Sequence, residues 1–245
     1  MEETIRISAR NLGEVRKKDF CPRCFWLARR FPLNEDHPFH SPMPGLVSTL
    51  DSYIKRVMET TFNQRGRLPS WLVEALGDLP VVTFLKPKTW EAPWEDAVLI
   101  GRADALWELE DRALFIADYK AAKLTESQED LFPLYEAQLK AYAYLAERNG
   151  KQVRGLALIY MEPQDYKEEP SRLLELCEER MTMYFRCVVK RVEGWSREEV
   201  EGWIRQTRDI LRQPKPPAGR EGCPGCARLE AWLRDLMGAM GKAMP

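Results

Sequence analysis

The sequence lacks the features that mark membrane-spanning, secreted and strongly basic proteins. Its apolar runs are all much shorter than the roughly 20 residues of a membrane-spanning helix. The N-terminus, MEETIRISARN, carries charges and has none of the apolar core of a secretory signal. The formal net charge is −1, so overall charge does not indicate a nucleic-acid partner, and any basic surface must be local. We therefore expect a cytoplasmic globular protein with no membrane partner.

Histidine is also scarce, which limits the metal sites that the chain can form. The only two histidines, His37 and His40, lie in the proline-rich segment HPFHSPMPG, where an incidental role is favoured over a metal site. Thiolates are the alternative ligands, and four of the six cysteines form two C-x-x-C pairs, Cys21/Cys24 and Cys223/Cys226. Cytoplasmic conditions disfavour a disulfide. If the two ends of the chain meet, these cysteines form a four-sulfur centre, and their spacing favours zinc.

The order of apolar patterns predicts an α/β fold in one domain spanning residues 1–245. Apolar residues at helical spacing from Val47 to Phe62 predict a helix, and a second helix is predicted from Pro133 to Asn149. Ser196 and Glu199 form a capping box that starts a later helix. Short apolar or alternating runs predict strands at residues 80–85, 98–109, 114–120, 153–161 and 181–192. Cys187 on the last strand is expected to pack in the core, and Cys177 is also interpreted as structural.

Two carboxylates stand in the predicted hairpin GRADALWELEDRALFIADYK. A turn centred on Asp111 places Asp104 directly opposite Asp118, and alternation puts Lys120 on the same face. Facing carboxylates repel unless a cation lies between them. Mg²⁺ and Mn²⁺ prefer such oxygen ligands, and a nearby lysine can orient a metal-bound water. The simpler interpretation is a solvated face with an ordinary Asp118–Lys120 ion pair.

The next predicted helix adds a polar residue to the same region. Gln138 interrupts its apolar stripe, and Tyr142 is its neighbour one turn later. A buried amide needs hydrogen-bond partners, so we expect the acidic hairpin to supply them. The alternative is that Gln138 lies at the edge of the stripe and reaches solvent.

Together these motifs resemble the PD-(D/E)XK nuclease superfamily. They are Gly101-Arg102-Ala103-Asp104, Asp118-Tyr119-Lys120 and Gln138 to Tyr142, within residues 98–145. The chain is most similar to RecB-type nucleases and the related CRISPR-associated iron–sulfur exonucleases. The resemblance implies a restriction-endonuclease-like αβββαβ core at about residues 46–162, with a central mixed sheet flanked by helices. Segments at about 14–30 and 214–235 would then join at the four-cysteine centre.

The resemblance also implies the chemistry. It implies Mg²⁺- or Mn²⁺-dependent hydrolysis of DNA, on single strands or ends, and partners in DNA repair or CRISPR adaptation. Asp104, Asp118 and the backbone carbonyl of Tyr119 would bind the metal ion. Lys120 would position the attacking water, while Gln138, with Tyr142, would orient the site.

Two departures from the family pattern leave alternatives open. Relatives carry a metal-binding histidine on the first core helix, whereas MPGLVSTLDSYIK offers Ser48, Thr49 and Asp51, so Asp51 is a further candidate ligand. Their 4Fe–4S cluster uses one early and three late cysteines, whereas this chain has two and two. The resemblance therefore favours iron–sulfur and the spacing favours zinc.

Two other functions compete with the nuclease. The first is a catalytically weak or inactive nuclease fold that binds nucleic acid or a partner and carries a structural zinc. The second is a redox or metal sensor built on the cysteines. Basic residues crowd the first cysteine pair and form either a solvated face or a phosphate-binding surface. They are Arg16, Lys17, Lys18, Arg23, Arg29 and Arg30. Trp90 and Trp94 are candidate stacking residues in a loop.

Overall fold

Two β-sheets with helices packed on them make up the fold in a computed structural model, which describes residues 4–32, 45–165 and 183–243. The helices are α1 Ala9–Glu14, α2 Pro22–Arg30, α3 Gly45–Arg65, α4 Ser70–Leu76, α5 Glu126–Glu129, α6 Phe132–Arg148, α7 Arg197–Leu211 and α8 Pro224–Ala243. The strands are β1 Ile5–Ser8, β2 Val81–Leu85, β3 Trp90–Trp94, β4 Ala97–Gly101, β5 Ala105–Leu109, β6 Leu114–Lys120, β7 Val153–Pro163 and β8 Phe185–Val192.

The larger sheet is mixed and has the strand order β2-β5-β6-β7-β8. Strands β6 and β7 are parallel, because α6 carries the chain back between them, and the other three pairs are antiparallel. Elements α3, β2, β5, β6, α6 and β7 follow one another as αβββαβ, with α4, β3, β4 and the short α5 inserted. The predicted fold class, a central mixed sheet flanked by helices, is therefore confirmed.

Strand β6 lies between two hydrophobic cores. Its residues from Leu114 to Tyr119 are all buried, as expected of a central strand covered on both faces. Leu114 and Ile116 pack on the core formed with α6 and α7. Phe115, Ala117 and Tyr119 pack on the opposite core, with α3 and α4. A polar side chain on this strand is therefore enclosed by protein on whichever face it points to.

The predicted strand at residues 98–109 is wrong in one respect, because the structure divides it. Strand β4 ends at Gly101 and belongs to a second sheet, of order β1-β4-β3, while β5 begins at Ala105 in the larger sheet. Residues 102–104 carry the chain from one sheet to the other. Both halves are apolar, so their composition looks like one continuous strand.

Other elements were missed by the sequence patterns. Trp90 belongs to β3 and is buried, so it is a core residue and not a loop platform for stacking. Helix α8, Pro224–Ala243, follows the helix that the capping box starts and was not predicted. Strand β8 begins at Phe185, later than predicted, and residues 181 and 182 lie outside the described residues. His37, His40 and Cys177 also lie outside them.

Among the described residues, none of the helices combines the length and apolar character that crossing a bilayer requires.

Candidate active site and metal centre

The hairpin register brings the two predicted carboxylates to one place. Ala105 pairs with Ala117 and Leu106 with Ile116, and the same register one residue further sets Asp104 opposite Asp118. This pairing confirms the predicted turn about Asp111. The Asp111 side chain accepts a hydrogen bond from the Ala113 amide at 3.0 Å, which stabilises the turn. The backbone amide of Tyr119 donates to Asp104 Oδ2 at 3.3 Å and ties the two strands together.

Asp104 lies at the break between the two sheets, and a glycine makes that break possible. A Cβ atom at Gly101 would stand 2.8 Å from Leu145 Cδ1 and 2.9 Å from Tyr142 Cε1. These distances are too short for any side chain, so Gly101 lets β4 approach α6 closely. The first residue of the Gly101–Asp104 motif therefore packs the chain against α6, and the last presents the carboxylate.

Asp118 is a buried carboxylate, with 2% of its surface exposed. Burial raises its pKa to about 7, the charge of Lys120 opposes that shift, and Asp104 adds to it. Lys120 forms an ion pair with Asp118 Oδ2, and this oxygen accepts no hydrogen bond of good geometry. A second positive charge would therefore be accommodated here at little electrostatic penalty.

Lys120 is held by neighbours on two elements. Its ammonium lies 4.3 Å from the centre of the Tyr135 ring on α6, a cation–π contact that the sequence patterns did not reveal. On the adjacent strand β7, Tyr160 is the register partner of Lys120. The hydroxyl of Tyr160 is buried without a hydrogen-bond partner, and burial raises the pKa of this phenol to about 12. These contacts place the ammonium beside the carboxylates.

Gln138 contacts the acidic pair through a tyrosine. Its Nε2 donates to the Tyr142 hydroxyl at 2.7 Å, so the expected direct bond to the hairpin is not what the structure contains. Burial raises the pKa of Tyr142, and the nearby charges of Asp118 and Asp104 raise it further. Gln138, Tyr142 and the two carboxylates therefore form one electrostatic group, with Tyr142 in the middle.

Helix α3 adds a lysine that the sequence patterns missed. Lys55 Nζ lies 2.8 Å from Asp51 Oδ2 and 2.8 Å from Asp104 Oδ1. Burial lowers the pKa of Lys55, but its hydrogen bonds to Asp104 and Asp51 outweigh that effect and raise the pKa overall. Asp51 is thus linked to Asp104 through Lys55. In the sequence, the only sign of this contact is that Lys55 follows Asp51 by four residues, a spacing that is common on helix surfaces.

A cavity of about 670 Å³ opens beside Asp104. Its lining includes three cationic side chains, those of Lys55, Lys86 and Arg102, and three carboxylates, those of Asp51, Glu59 and Asp104. A phosphodiester fits this mixture of charges, because cations bind its oxygens while carboxylates hold a metal ion.

The oxygens of the hairpin suit Mg²⁺ or Mn²⁺. Asp104 and Asp118 offer carboxylates, and Asp118 Oδ2 is paired with the Lys120 ammonium. The N–H and C=O of one residue point to the same edge of a strand. Because the Tyr119 N–H faces Asp104, its carbonyl faces that edge too, just beyond the end of β5. This set of oxygens fits a hard divalent ion.

The four predicted cysteines meet in a second centre. The sulfur ligand atoms of Cys21, Cys24, Cys223 and Cys226 lie within 4.8 Å of one another. Cys21 Sγ is 3.6 Å from Cys226 Sγ, and Cys24 Sγ is 3.7 Å from Cys223 Sγ, so no disulfide links them. Both pairs stand at the start of a helix, α2 or α8, whose first residue is a proline. The prediction that the two ends of the chain meet at these cysteines is confirmed.

The backbone is shaped to enclose these sulfurs. A Cβ atom at Gly219 would stand 2.8 Å from Cys226 Sγ, and one at Gly225 would stand 3.0 Å from Cys24 Sγ. The Arg220 amide donates to Cys21 Sγ at 3.3 Å. Burial raises the pKa of Cys21, but hydrogen bonds from Cys24, Arg220 and the other thiols outweigh it and lower the pKa to about 6. The Cys21 thiolate is therefore stabilised, whereas burial raises the pKa values of Cys24 and Cys226.

The other candidate residues from the sequence are engaged elsewhere. Cys187 packs on the α3 side of the sheet, with its Sγ 3.3 Å from Met161 Sδ. Most of the basic residues near the first cysteine pair contact carboxylates or rings. The ion pairs are Lys17–Asp19, Lys18–Asp130, Arg23–Glu230 and Arg29–Glu14, while Arg16 lies over Trp203 and Arg30 over Trp26. These contacts neutralise much of the positive charge that a phosphate-binding surface would need.

Comparison with known proteins gives a family match and similar folds. The family model for the PD-(D/E)XK nuclease superfamily matches residues 23–230. The crystal structure of SSO0001 is similar with a TM-score of 0.50 and 15% identity, over 88% of this chain and 80% of that one. A phage-related exonuclease from Haemophilus somnus 129PT has a TM-score of 0.41 and 13% identity, over 78% and 77% of the two chains. No curated protein gives a significant match.

Proposed function

The chain belongs to the PD-(D/E)XK nuclease superfamily, and from that premise we propose that it is a metal-dependent nuclease that hydrolyses phosphodiester bonds in DNA. One observation carries the proposal. The hairpin places Asp104 opposite Asp118, which is paired with Lys120, and Asp104 lines a cavity that contains both carboxylate and cationic side chains. The motif order also supports a position close to the RecB-type nucleases and CRISPR-associated exonucleases, with single strands or DNA ends as substrate.

The two carboxylates have separate roles in holding the metal ion. A bound Mg²⁺ or Mn²⁺ supplies a Lewis acid that stabilises negative charge developing on the phosphate. Asp104, Asp118 and the Tyr119 carbonyl would hold this ion. Because burial raises the pKa of Asp118 to about 7, its carboxyl would give up a proton on becoming a ligand near neutral pH. Asp104 is less buried and has one oxygen fixed by the Tyr119 amide.

The chain's own cation acts on the water and the phosphate. Lys120 is fixed between Asp118 and the Tyr135 ring, so its ammonium is oriented before substrate arrives. It positions the attacking water and stabilises the charge of the transition state. Gln138 fixes the Tyr142 hydroxyl close to both carboxylates and so keeps the polar floor of the site in one arrangement.

For the cysteine centre we propose a single structural zinc ion. A tetrahedral zinc with Zn–S bonds of about 2.3 Å places its sulfurs about 3.8 Å apart, close to the 3.6 and 3.7 Å between these cysteines. In a 4Fe–4S cluster each thiolate binds a different iron, which requires a wider spacing. The sulfur distances thus support zinc over the cluster that the resemblance implies. Elemental analysis distinguishes the two, since iron with acid-labile sulfide would overturn the zinc proposal.

This centre also bears on the domain organisation. It joins the start of α2 to the start of α8, and α1 and α7 lie against the elements of the nuclease core. We extend the proposal to a single nuclease domain in which the terminal segments support the catalytic hairpin and take no part in the chemistry.

Cleavage of labelled DNA tests the nuclease proposal. Purified protein is incubated with single-stranded and double-stranded oligonucleotides in Mn²⁺, Mg²⁺ or EDTA. We expect cleavage with metal and none with EDTA. Lys120→Ala should lower the rate by about 10³-fold, since a positioned group that stabilises transition-state charge contributes about that much. Lys123→Ala is the matched control, because Lys123 pairs with Asp165 at the surface.

The outcomes separate an enzyme from a binding module. Equal rates for Lys120→Ala and wild type would remove Lys120 from the mechanism. Retention of DNA without cleavage under every metal condition would show that the fold serves binding and not hydrolysis.

A further inference from the structure

The first core helix brings both a carboxylate and a lysine to the hairpin. Helix α3 begins at Gly45, and the candidate ligand Asp51 follows in its second turn. One turn later Lys55 extends its ammonium to both Asp51 Oδ2 and Asp104 Oδ1, each at 2.8 Å. The ammonium therefore occupies the space between the two carboxylates nearest to this helix.

The two oxygens of Asp104 are used differently as a result. Oδ1 contacts the Lys55 ammonium, and Oδ2 accepts the hydrogen bond of the Tyr119 amide, on the Asp118 side. A metal ion between Asp51 and Asp104 would need Oδ1 and Asp51 Oδ2, both of which the ammonium holds. A metal ion between Asp104 and Asp118 needs neither of the atoms that Lys55 contacts.

We propose that Lys55 is a built-in cation that takes the place of a second metal ion, so that the site binds one Mg²⁺ or Mn²⁺, between Asp104 and Asp118. This inference rests on the proposed nuclease function. Lys55 acts as a positioning residue, because it orients the Asp104 carboxylate and neutralises Asp51. It also joins Lys86 and Arg102 on the wall of the cavity, where positive charge meets the phosphate of the substrate.

Counting bound Mn²⁺ by electron paramagnetic resonance tests this inference without measuring activity. The probe is Mn²⁺ alone, added to the purified full chain with its cysteine centre filled. We expect one Mn²⁺ per chain for the wild type. Lys55→Met keeps the length of the side chain and removes its charge, so it should expose Asp51 and Asp104 to a second ion and raise the count to two. Lys55→Arg restores a cation and should return the count to one.

Lys86→Met is the control, because Lys86 lines the same cavity and has no ion pair with Asp51 or Asp104 among the described contacts. Its count should stay at one. Two Mn²⁺ in the wild type would overturn the inference even if Lys55→Met did not fold, and so would an unchanged count in folded Lys55→Met. Failure of the proposed function looks different, namely no Mn²⁺ bound and no cleavage by the wild type.

Discussion

The hairpin site and the cysteine centre place ligands together in opposite ways. Asp104 and Tyr119 contact each other across 15 residues of one hairpin, whereas Cys21 and Cys226 are 205 residues apart in the chain. Closing a hairpin requires little chain entropy, and closing most of the chain requires more. The hairpin therefore brings its carboxylates together through the strand register alone, while the cysteine centre requires the starts of α2 and α8 to meet from distant parts of the chain.

The pKa shifts also differ between the two centres. Asp118 has its pKa raised to about 7, so the folded protein disfavours its charge. In the cysteine centre the shifts are mixed, because the pKa of Cys21 is lowered to about 6 whereas burial raises the pKa values of Cys24 and Cys226. The carboxylate site thus holds a charge at some expense of stability, as reactive sites often do. Filling the cysteine centre with a metal ion would release protons from the thiols whose pKa is raised.

Removing one cysteine ligand is the largest test of this difference. Cys223→Ala should lose the metal ion and lower the free energy of unfolding by on the order of several kcal/mol, because binding of a structural metal is coupled to folding. Cys187→Ala removes a half-buried thiol from β8 and should cost about 1 kcal/mol or less. Urea unfolding and elemental analysis of the two variants provide the measurement. If Cys223→Ala were as stable as the wild type and kept its metal ion, the proposed structural role of the cysteine centre would be wrong.

Asp118→Asn tests the carboxylate side, and its effect depends on pH. In metal-free wild type the folded state keeps the Asp118 proton up to about pH 7, whereas the unfolded chain loses it near pH 3.8. Stability from this group is therefore lost as pH rises between those values, and is level above them. The asparagine variant lacks this titration, so the wild type should become less stable relative to it across the same window.

Urea unfolding of the wild type and Asp118→Asn without added Mg²⁺ or Mn²⁺ measures that difference. The comparison cancels other titrations, including that of Cys21. A stability difference that is independent of pH would mean that Asp118 is already ionised throughout and that its burial is offset by Lys120.

Gln138→Ala should have the smallest effect and should sharpen the comparison. It removes the donor to the Tyr142 hydroxyl but no charge and no metal ligand. A hydrogen bond of about 1 kcal/mol corresponds to a decrease of about fivefold in cleavage rate. Tyr142→Phe removes the other half of the bond and should give a similar decrease, with the double variant no slower than either. Gln206→Ala, on the exposed face of α7, is the control. If the rate losses of Gln138→Ala and Tyr142→Phe add up in the double variant, the two residues act separately.

Several parts of the fold and the site followed from local patterns. Alternation along β6 predicted that Asp118 and Lys120 share a face and Tyr119 the other, because the period of a strand is two. The turn at Asp111 predicted the cross-strand pair Asp104–Asp118. The C-x-x-C pairs predicted a four-sulfur centre on the condition that the two ends of the chain meet, because thiolates at this spacing are typical metal ligands.

Other parts depended on contacts between distant segments. The division of residues 98–109 into β4 and β5 depends on which sheet each half joins, and both halves are equally apolar. Gln138 was expected to bond the hairpin, but its amide donates to Tyr142 one turn later on the same helix. The pattern from Val47 to Phe62 predicted a helix within α3 but not its rotation about its own axis or the side chain that reaches Asp104, so Lys55 was missed.

The sequence by itself determined the ligand types and the local geometry of each half of the two centres. It did so because strand register, turn position and C-x-x-C spacing are properties of short segments. Only the tertiary structure decided what meets across elements: Lys55 between Asp51 and Asp104, Tyr135 over Lys120, and sulfur distances suited to one ion. The physical reason is that these contacts depend on how whole helices pack against the sheet. That packing is decided by the summed burial of many apolar residues and not by the few polar residues that form the site.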